Sequence, residues 1–262
     1  MTTDVFRKRL LARFEEFGRI LAADAGDWTV KGFIDVYRNI YTISLDTKVV
    51  SKIIELMLFP IISRFAAEEG YRMVLSEHQN FYPDISFVAR DGSKIALDLK
   101  STYRTNSGTV NGFTLGAFTG YFRQRKSTKN ITFPYAEYSA HFVLGIIYSR
   151  QEEAIDERRI YNLNELQDIV SVVKSFTFLL QEKWRIASTR PGSGNTKNIG
   201  SVTNVQALVE GNGPFAPLGQ DAFDDYWMHY LTDDMARAIE SEVPYRNLNE
   251  YWEWCKRHGH TS

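Results

Sequence analysis

The chain has 262 residues, a length that fits one large domain or one domain with a small subdomain. With 44% hydrophobic residues, 24% charged residues and a net charge of −1, it lacks the strong basic field of a non-specific nucleic-acid binder, although local basic patches remain possible. A single cysteine excludes an internal disulfide, and the absence of any apolar run near ~18 residues argues against a membrane span, so we expect a cytoplasmic protein.

The first part of the chain alternates between helix-like and strand-like segments. Apolar residues at helical spacing predict a helix over 3–23, and short β-like runs follow within 28–43. Asp46 offers an N-cap for a second helix that reaches about Gly70, which Pro60 is expected to kink or divide. A β-hairpin is predicted next, over 83–100.

The second part begins with a polar segment, 101–112, that predicts a loop, and 113–124 is expected to be helical. A strong strand is predicted over 138–148, a short helix over 164–171 and a further strand over 172–185. Residues 188–204 have almost no apolar content and predict a loop, whereas the chain from Asp221 is helical and aromatic. This succession indicates an α/β protein with a mixed sheet flanked by helices.

The predicted hairpin carries Asp84, Asp98 and Lys100 where strands favour apolar or small residues. A three-residue turn at 90–92, with Gly92 in the left-handed conformation, is a common hairpin form. That turn places Asp84 directly opposite Asp98 and puts Lys100 on the same face. It also gathers four apolar side chains on the other face: Ile85, Phe87, Ile95 and Leu97.

Opposed residues in such a pair have Cβ atoms about 5 Å apart, so two carboxylates there repel unless a cation or a proton lies between them. Oxygen ligands at this spacing suit Mg²⁺, and Lys100 could orient or deprotonate a water or stabilise charge on phosphorus. The alternative is a surface hairpin in which Lys100 simply pairs with the carboxylates. The hairpin alone leaves both interpretations open.

Pro83-Asp84 followed by Asp98-Leu99-Lys100 resembles the PD-(D/E)xK nuclease signature. The surrounding sequence, from about Tyr41 to Ser201 and more weakly in the aromatic C-terminus, resembles the EcoRV-type restriction endonucleases. The blocks that carry this resemblance include "SLDTKVVSKIIELMLFPII", "HQNFYPDISF", "KIALDLKSTY" and "GSGNTKNIGS".

The resemblance implies a bacterial type II site-specific deoxyribonuclease, which hydrolyses phosphodiesters in both strands of a short palindrome. It implies a restriction-endonuclease-like core with a mixed sheet flanked by helices and a small dimerisation subdomain. Asp84 and Asp98 would hold Mg²⁺, one or two ions per active site with Mn²⁺ as a substitute. Lys100 would be the catalytic lysine, and Glu55 would be an auxiliary acidic residue near the site. One or two such ions can supply what phosphodiester hydrolysis requires.

The resemblance also assigns residues to DNA recognition. Asparagine can contact adenine through two hydrogen bonds and threonine can offer a methyl group to thymine, although a flexible polar surface loop would have the same composition. The implied target is GATATC, cut bluntly at its flexible central TA step to leave 5′-phosphates. The implied base-recognition residues are Gly192, Ser193, Gly194, Asn195, Thr196 and Asn198, with Gln79 and Asn80 near the minor groove, and the implied phosphate contacts are Thr47, Lys48, Thr102, Tyr103 and Lys129.

Further expectations concern partners and domains. The chain 1–262 is expected to form one domain that acts as a homodimer on double-stranded DNA, with 28–43 and 150–162 as the dimerisation subdomain and a cognate DNA methyltransferase as functional partner. Lys197 and a longer stretch around Arg125 and Lys126 depart from the family pattern, which leaves flanking-sequence preference open. Two alternatives are a PD-(D/E)xK repair or recombination nuclease and an inactive DNA-binding protein. The polar loop opposes the first, and the intact carboxylates and lysine oppose the second.

Overall fold

The structure, a computed structural model, describes residues 2–78, 80–151, 156–192 and 197–259. Its strands are β1 (Gly32–Ile34), β2 (Ile40–Thr42), β3 (Arg72–Leu75), β4 (Ile85–Val88), β5 (Lys94–Tyr103), β6 (Thr114–Ala117), β7 (Tyr138–Arg150), β8 (Ile160–Tyr161), β9 (Val173–Glu182), β10 (Ala187–Pro191) and β11 (Asn198–Ser201). Its α-helices are α1 (Thr3–Leu11), α2 (Phe14–Leu21), α3 (Thr47–Glu68), α4 (Lys183–Ile186), α5 (Val205–Glu210), α6 (Gln220–His229), α7 (Asp233–Ala238) and α8 (Leu248–His258). Short 3₁₀ turns cover Gly120–Phe122, Tyr135–Glu137 and Leu163–Asp168.

The central sheet has the strand order β3-β4-β5-β7-β9. Strands β5 and β7 are parallel, whereas the other neighbouring pairs are antiparallel, so the prediction of a mixed sheet is confirmed. The predicted strand at 138–148 is β7, and β9 fills most of the strand region expected at 172–185. Ser101–Tyr103, predicted as loop, instead continue β5 because they pair with Ile146–Tyr148 of β7.

The hairpin of β4 and β5 has the predicted register. Ile85 pairs with Leu97 and Phe87 with Ile95. At the turn, the Ala89 amide donates to the Ser93 carbonyl over 2.9 Å, and Gly92 has a φ of 85°. The sequence therefore predicts correctly which face each residue of this hairpin occupies.

The N-terminal helical segment differs from the prediction. The expected single helix over 3–23 is wrong, because the chain turns between α1 and α2, where the Arg13 amide donates to the Leu10 carbonyl over 3.0 Å. That tighter, 3₁₀-like bond changes the direction of the chain. Each half can then bury its own aromatic residue, Phe6 from α1 and Phe17 from α2.

Helix α3 begins as predicted. Asp46 caps it, since its Oδ1 accepts from the amides of Lys48 at 2.8 Å and Val49 at 3.2 Å, an arrangement worth about 1 kcal/mol. The helix continues through Pro60, so the expected division there is wrong. Its apolar face packs on the sheet, with buried residues Val50, Ile54, Leu58, Ile62 and Phe65.

Two cores cover the two faces of the central sheet. Helices α1–α3 cover one face, on which Leu97 and Phe142 lie. The other face carries Ala96 and Val143 and packs against β6, the 3₁₀ turns and the aromatic C-terminal helices, whose buried rings include Tyr226 and Trp227. Because alternate residues of β5 face opposite sides, Asp98 and Lys100 share the second face with Ala96.

The helix predicted over 113–124 is wrong, and β6 and a 3₁₀ turn stand there. Gly116 has a φ of 88°, which L residues rarely adopt, and β6 pairs with β11 in a second sheet of order β10-β11-β6. Most of the segment predicted as a loop over 188–204 instead forms the paired strands β10 and β11. Residues 193–196, between these strands in sequence, lie outside the described residues.

A third, small sheet has the order β1-β2-β8. It joins residues from both segments assigned to the dimerisation subdomain, since Ile40 of β2 pairs with Tyr161 of β8. Its surface is unusually apolar, with exposed Phe33, Ile34, Val36, Tyr37 and Ile160. Across the described ranges, no helix combines the length and the apolar character that crossing a membrane requires.

Candidate active site

The hairpin brings the three predicted catalytic side chains together. The Leu99 amide of β5 donates to Oδ2 of Asp84 over 2.7 Å and so ties that carboxylate to the strand that carries Asp98. Nζ of Lys100 lies 2.9 Å from Oδ2 of Asp98 and 3.8 Å from Oδ2 of Asp84. Two carboxylates and one ammonium thus form a single charged cluster at the end of β4 and in β5.

Burial determines the electrostatics of this cluster. Asp98 is only 4% exposed. Desolvation, followed by the charge of Asp98, raises the pKa of Asp84 to about 7, against the lowering effects of Lys100 and the Leu99 amide. Desolvation lowers the pKa of Lys100, but Asp98 and Asp84 outweigh it and leave that pKa above its ordinary value. Lys100 in this arrangement is therefore a stable ammonium that compensates the carboxylates.

The cluster opens into a cleft of about 520 Å³. Asp84, Asp98 and Lys100 line it together with Asn80 and Asn198, two of the residues assigned to base recognition. Catalytic and recognition candidates from distant parts of the sequence therefore face one shared space. The cleft is large enough to admit groups of a bound polymer, and its walls are largely polar in residue type.

Glu55 lies on the other side of Asp84. It lines a second cavity of about 570 Å³ that also contains Asp84, Leu99 and Lys48. Its Oε1 is 2.7 Å from Nζ of Lys52, and it contributes to the field at Lys100. Among the residues described, no group of three or more histidine, cysteine, aspartate or glutamate side chains is gathered as a metal site, so Glu55 does not complete one with the two aspartates.

The two aspartates nevertheless fit a divalent cation. Their oxygen atoms are the ligands that Mg²⁺ prefers, and this ion commonly uses one or two protein carboxylates while water and phosphate oxygens fill its other positions. Desolvation and the charge of Asp98 raise the pKa of Asp84, and both effects favour a proton or a cation beside the two carboxylates.

The structure describes three of the residues assigned to base recognition, Asn80, Gly192 and Asn198. Asn198 begins β11, opposite Ala117, and its carbonyl accepts from the Gly192 amide over 3.0 Å. A Cβ on Gly192 would lie 3.3 Å from Cα of Gly200, so the hairpin strands approach closely there. Gln79, Ser193, Gly194, Asn195 and Thr196 lie outside the described residues.

The five phosphate candidates differ in accessibility. Thr47 and Lys48 are exposed in the first turn of α3, and Lys129 is exposed on the wall of the cleft. Tyr103 is half-buried beneath the guanidinium of Arg150, 3.5 Å from its ring centroid. Thr102 is only 4% exposed, so its side chain is not presented to a phosphate in this structure.

The sequence did not single out the group of side chains behind the carboxylates. The hydroxyl of Tyr82 lies 2.9 Å from Nδ1 of His141, and Lys183 is buried beside the Tyr82 ring. Arg125 belongs to the same region, where it pairs with Asp224 at 3.1 Å and is thereby less available to DNA than its sequence suggests. A lysine within the apolar surroundings of "FLLQEKWRI" was the one signal that could have pointed here.

Comparison with known proteins shows the family of this chain. The family model described as restriction endonuclease EcoRV matches residues 24–256. The chain belongs to the EcoRV family. Within that family, the type II restriction enzyme EcoRV of Escherichia coli is 38% identical over 233 residues, which cover 88% of this chain and 92% of that protein. The solved structure of the NlaIV restriction endonuclease aligns with a TM-score of 0.46 and 14% identity, over 99% of this chain and 96% of that chain.

Membership of the EcoRV family confirms three expectations from the sequence. The fold is restriction-endonuclease-like, with its mixed sheet flanked by helices. The protein is a type II site-specific deoxyribonuclease, and DNA is its substrate. The alternative of a repair or recombination nuclease is thereby set aside.

Proposed function

We propose that this enzyme cleaves both strands of GATATC at the centre of the site and leaves blunt ends with 5′-phosphates. We further propose that cleavage requires Mg²⁺, with one or two ions in each active site and Mn²⁺ as a substitute. One observation carries the proposal: Asp84, Asp98 and Lys100 open into the same cleft as Asn80 and Asn198. Base contacts and bond cleavage can then occur on one stretch of DNA.

In the proposed mechanism, Asp84 and Asp98 hold the metal through their carboxylate oxygens. When bound, Mg²⁺ would neutralise a non-bridging phosphate oxygen and favour ionisation of a water. Lys100 orients the attacking water and offsets negative charge that develops on phosphorus. Its raised pKa supports this electrostatic role in preference to that of a proton acceptor. Glu55, on the wall of the second cavity, is the auxiliary acidic residue near the site.

Sequence reading is assigned to two segments. Asn198 and Asn80 lie in the cleft, where amide side chains can contact adenine edges. Residues 193–196 and Gln79, which lie outside the described residues, are proposed to supply the remaining base contacts. The target GATATC rests on the match of these residues to the family's recognition segment.

Contacts to the phosphate groups of DNA position the duplex on the protein. Thr47 and Lys48 at the start of α3, together with Lys129 and Tyr103, are the proposed phosphate contacts. Thr102 was also expected to contact a phosphate, but its buried side chain supports a role in packing β5. Phosphate contacts of this kind act on any sequence, and Lys48 and Lys129 provide local positive charge despite the net charge of −1.

A homodimer suits a palindrome, because each active site then meets one strand under the same two-fold symmetry. We assign dimerisation to 28–43 and 150–162 within the single domain 1–262, and catalysis and DNA binding to the remainder. The exposed apolar side chains of the small sheet support this assignment, since such patches commonly mark protein interfaces. A cognate DNA methyltransferase is the proposed functional partner.

Cleavage of defined DNA tests the proposal. Supercoiled and linear DNA with one GATATC site, and matched DNA without it, are incubated with Mg²⁺ or with EDTA. We expect one blunt cut at the site with Mg²⁺ and none with EDTA. Cuts at another sequence would refute the target, cleavage in EDTA would refute the metal requirement, and binding without any cleavage would refute the catalytic assignment.

A further inference from the structure

Lys183 is a buried cation close to the active site. It lies in α4, is 1% exposed, and its Nζ finds no hydrogen-bond acceptor among the residues the structure describes. Burial lowers its pKa to about 8, an effect that the charges of Asp98 and Asp224 oppose. An ammonium in such a place is costly to keep, because it has lost water without gaining a paired carboxylate.

Aromatic rings surround this ammonium. Its Nζ lies 4.5 Å from the ring centroid of Tyr82, 5.0 Å from that of Tyr135 and 5.8 Å from that of Phe122. These are cation–π distances, and such contacts are stronger where water is excluded. Tyr82 and Tyr135 also stack on each other, with centroids 6.2 Å apart, so the cation holds a pair of rings together.

Tyr82 connects the ring cage around Lys183, formed by Tyr82, Tyr135 and Phe122, to the carboxylate of Asp84. It lies two residues before Asp84 and lines the cleft beside it. Its amide donates to the Asn130 carbonyl over 3.1 Å, and its hydroxyl contacts His141 over 2.9 Å. The ring is therefore fixed on several sides, and its movement would be transmitted to the backbone that orients Asp84.

Lys183 is also close in sequence to the recognition hairpin. Helix α4 has a single turn, and β10 follows it directly at Ala187. Strand β10 leads to Gly192, the first of the residues assigned to base contacts at this end of the chain. One short helix thus joins the cation that contacts Tyr82 to the strand that enters the recognition hairpin.

We propose that Lys183 is a positioning residue that couples the recognition hairpin to the catalytic carboxylates through the rings of Tyr82 and Tyr135. This inference rests on the proposed function of Asp84 and Asp98. DNA that seats correctly against the hairpin fixes α4, and the ammonium then fixes Tyr82 and the orientation of Asp84. A misplacement of about 1 Å can cost roughly 100-fold in rate.

The substitution Lys183→Met tests the role, because methionine keeps most of the side-chain volume and removes the charge. We expect kcat at the cleaved site to fall at least about tenfold while KM for DNA stays within about threefold. The preference for this site over one with a single altered base pair falls by a similar factor. The melting temperature stays the same or rises, since an unpaired buried charge is removed. Lys183→Arg, which retains a cation, restores part of kcat.

A merely structural lysine would give a different pattern. An unchanged kcat in Lys183→Met would overturn the proposal, and so would parallel losses of kcat and melting temperature. Failure of both Lys183→Met and Lys183→Gln to fold would show that the charge serves the fold alone and would also overturn it. Lys256→Met is the matched control, because Lys256 is exposed and pairs only with Glu253 at 2.9 Å among the ion pairs of the described chain.

The variant Asp98→Ala is measured in parallel to separate two failures. Retained cleavage in Asp98→Ala would refute the catalytic site itself. An inactive Asp98→Ala beside a fully active Lys183→Met would refute only the role of Lys183.

Discussion

Asp98 is the residue on which the proposed chemistry depends most, because it is the more deeply buried carboxylate and has Lys100 2.9 Å away. We expect Asp98→Ala to reduce cleavage below detection, since a metal held by Asp84 alone would lose a ligand and its geometry. Asp91→Ala, at the exposed tip of the same hairpin, is the matched control and should cleave normally. Gel assays of single-site plasmid check both, and activity in Asp98→Ala would contradict the assignment.

Asp84 makes metal binding depend on pH. Burial raises its pKa from 3.8 to about 7, so between these values the folded protein keeps a proton that the unfolded chain releases. Stability of the metal-free protein therefore falls as pH rises through this window, and a bound Mg²⁺ relieves the loss by taking the place of the proton. Without DNA, we expect Mg²⁺ to raise the melting temperature more at about pH 8 than at about pH 6. If Asp84→Asn showed the same difference between the two pH values in the rise of melting temperature that Mg²⁺ causes, this explanation would be wrong.

Among the elements, the hairpin β10–β11 carries the proposed base contacts. We expect Asn195→Ala to reduce cleavage at the cognate site by about five- to 150-fold, because a bidentate contact to adenine is worth ~1–3 kcal/mol. The fold should persist, which circular dichroism can check. Asn249→Ala, on the exposed face of α8, is the control. Unchanged site preference in Asn195→Ala would remove this residue from recognition.

Elements with local signals were predictable from the sequence, and elements that depend on distant pairing were not. The register of β4 and β5 follows from one turn and an alternating pattern, so the positions of Asp84 and Asp98 could be predicted. Strand β6 was mistaken for a helix because its partner, β11, lies about eighty residues away along the chain, and the segment itself carries no local sign of that pairing. The cage around Lys183 was missed for the same reason, since its rings come from three separate segments.

At the scale of the whole molecule, the proposed homodimer would bring two active sites to one palindrome. Strand β1 and the connection from β1 to β2 present two exposed apolar side chains, Ile34 at 58% and Val36 at 89%. We expect Val36→Glu to weaken dimerisation, because a charge buried in an apolar interface is costly, and to reduce double-strand cleavage more than nicking. Sedimentation measures the first effect and supercoiled plasmid the second. The control is Ile239→Glu, because Ile239 is also exposed, at 63%, but directly follows α7 and lies outside the small sheet. It should change neither dimerisation nor the ratio of double-strand cleavage to nicking. A dimer that resists Val36→Glu would place the interface elsewhere.

The hairpin register also limits how the lengths of related chains can differ. A residue added at the tip, 90–92, lengthens the turn and leaves the pair Ile85–Leu97 in place. A residue added inside β5, before Asp98, would turn that carboxylate into the apolar core and bring a neighbouring leucine to the cleft. We therefore expect a change in length between the two carboxylates to preserve the cluster when it falls in the turn, and to disrupt the cluster when it falls inside a strand.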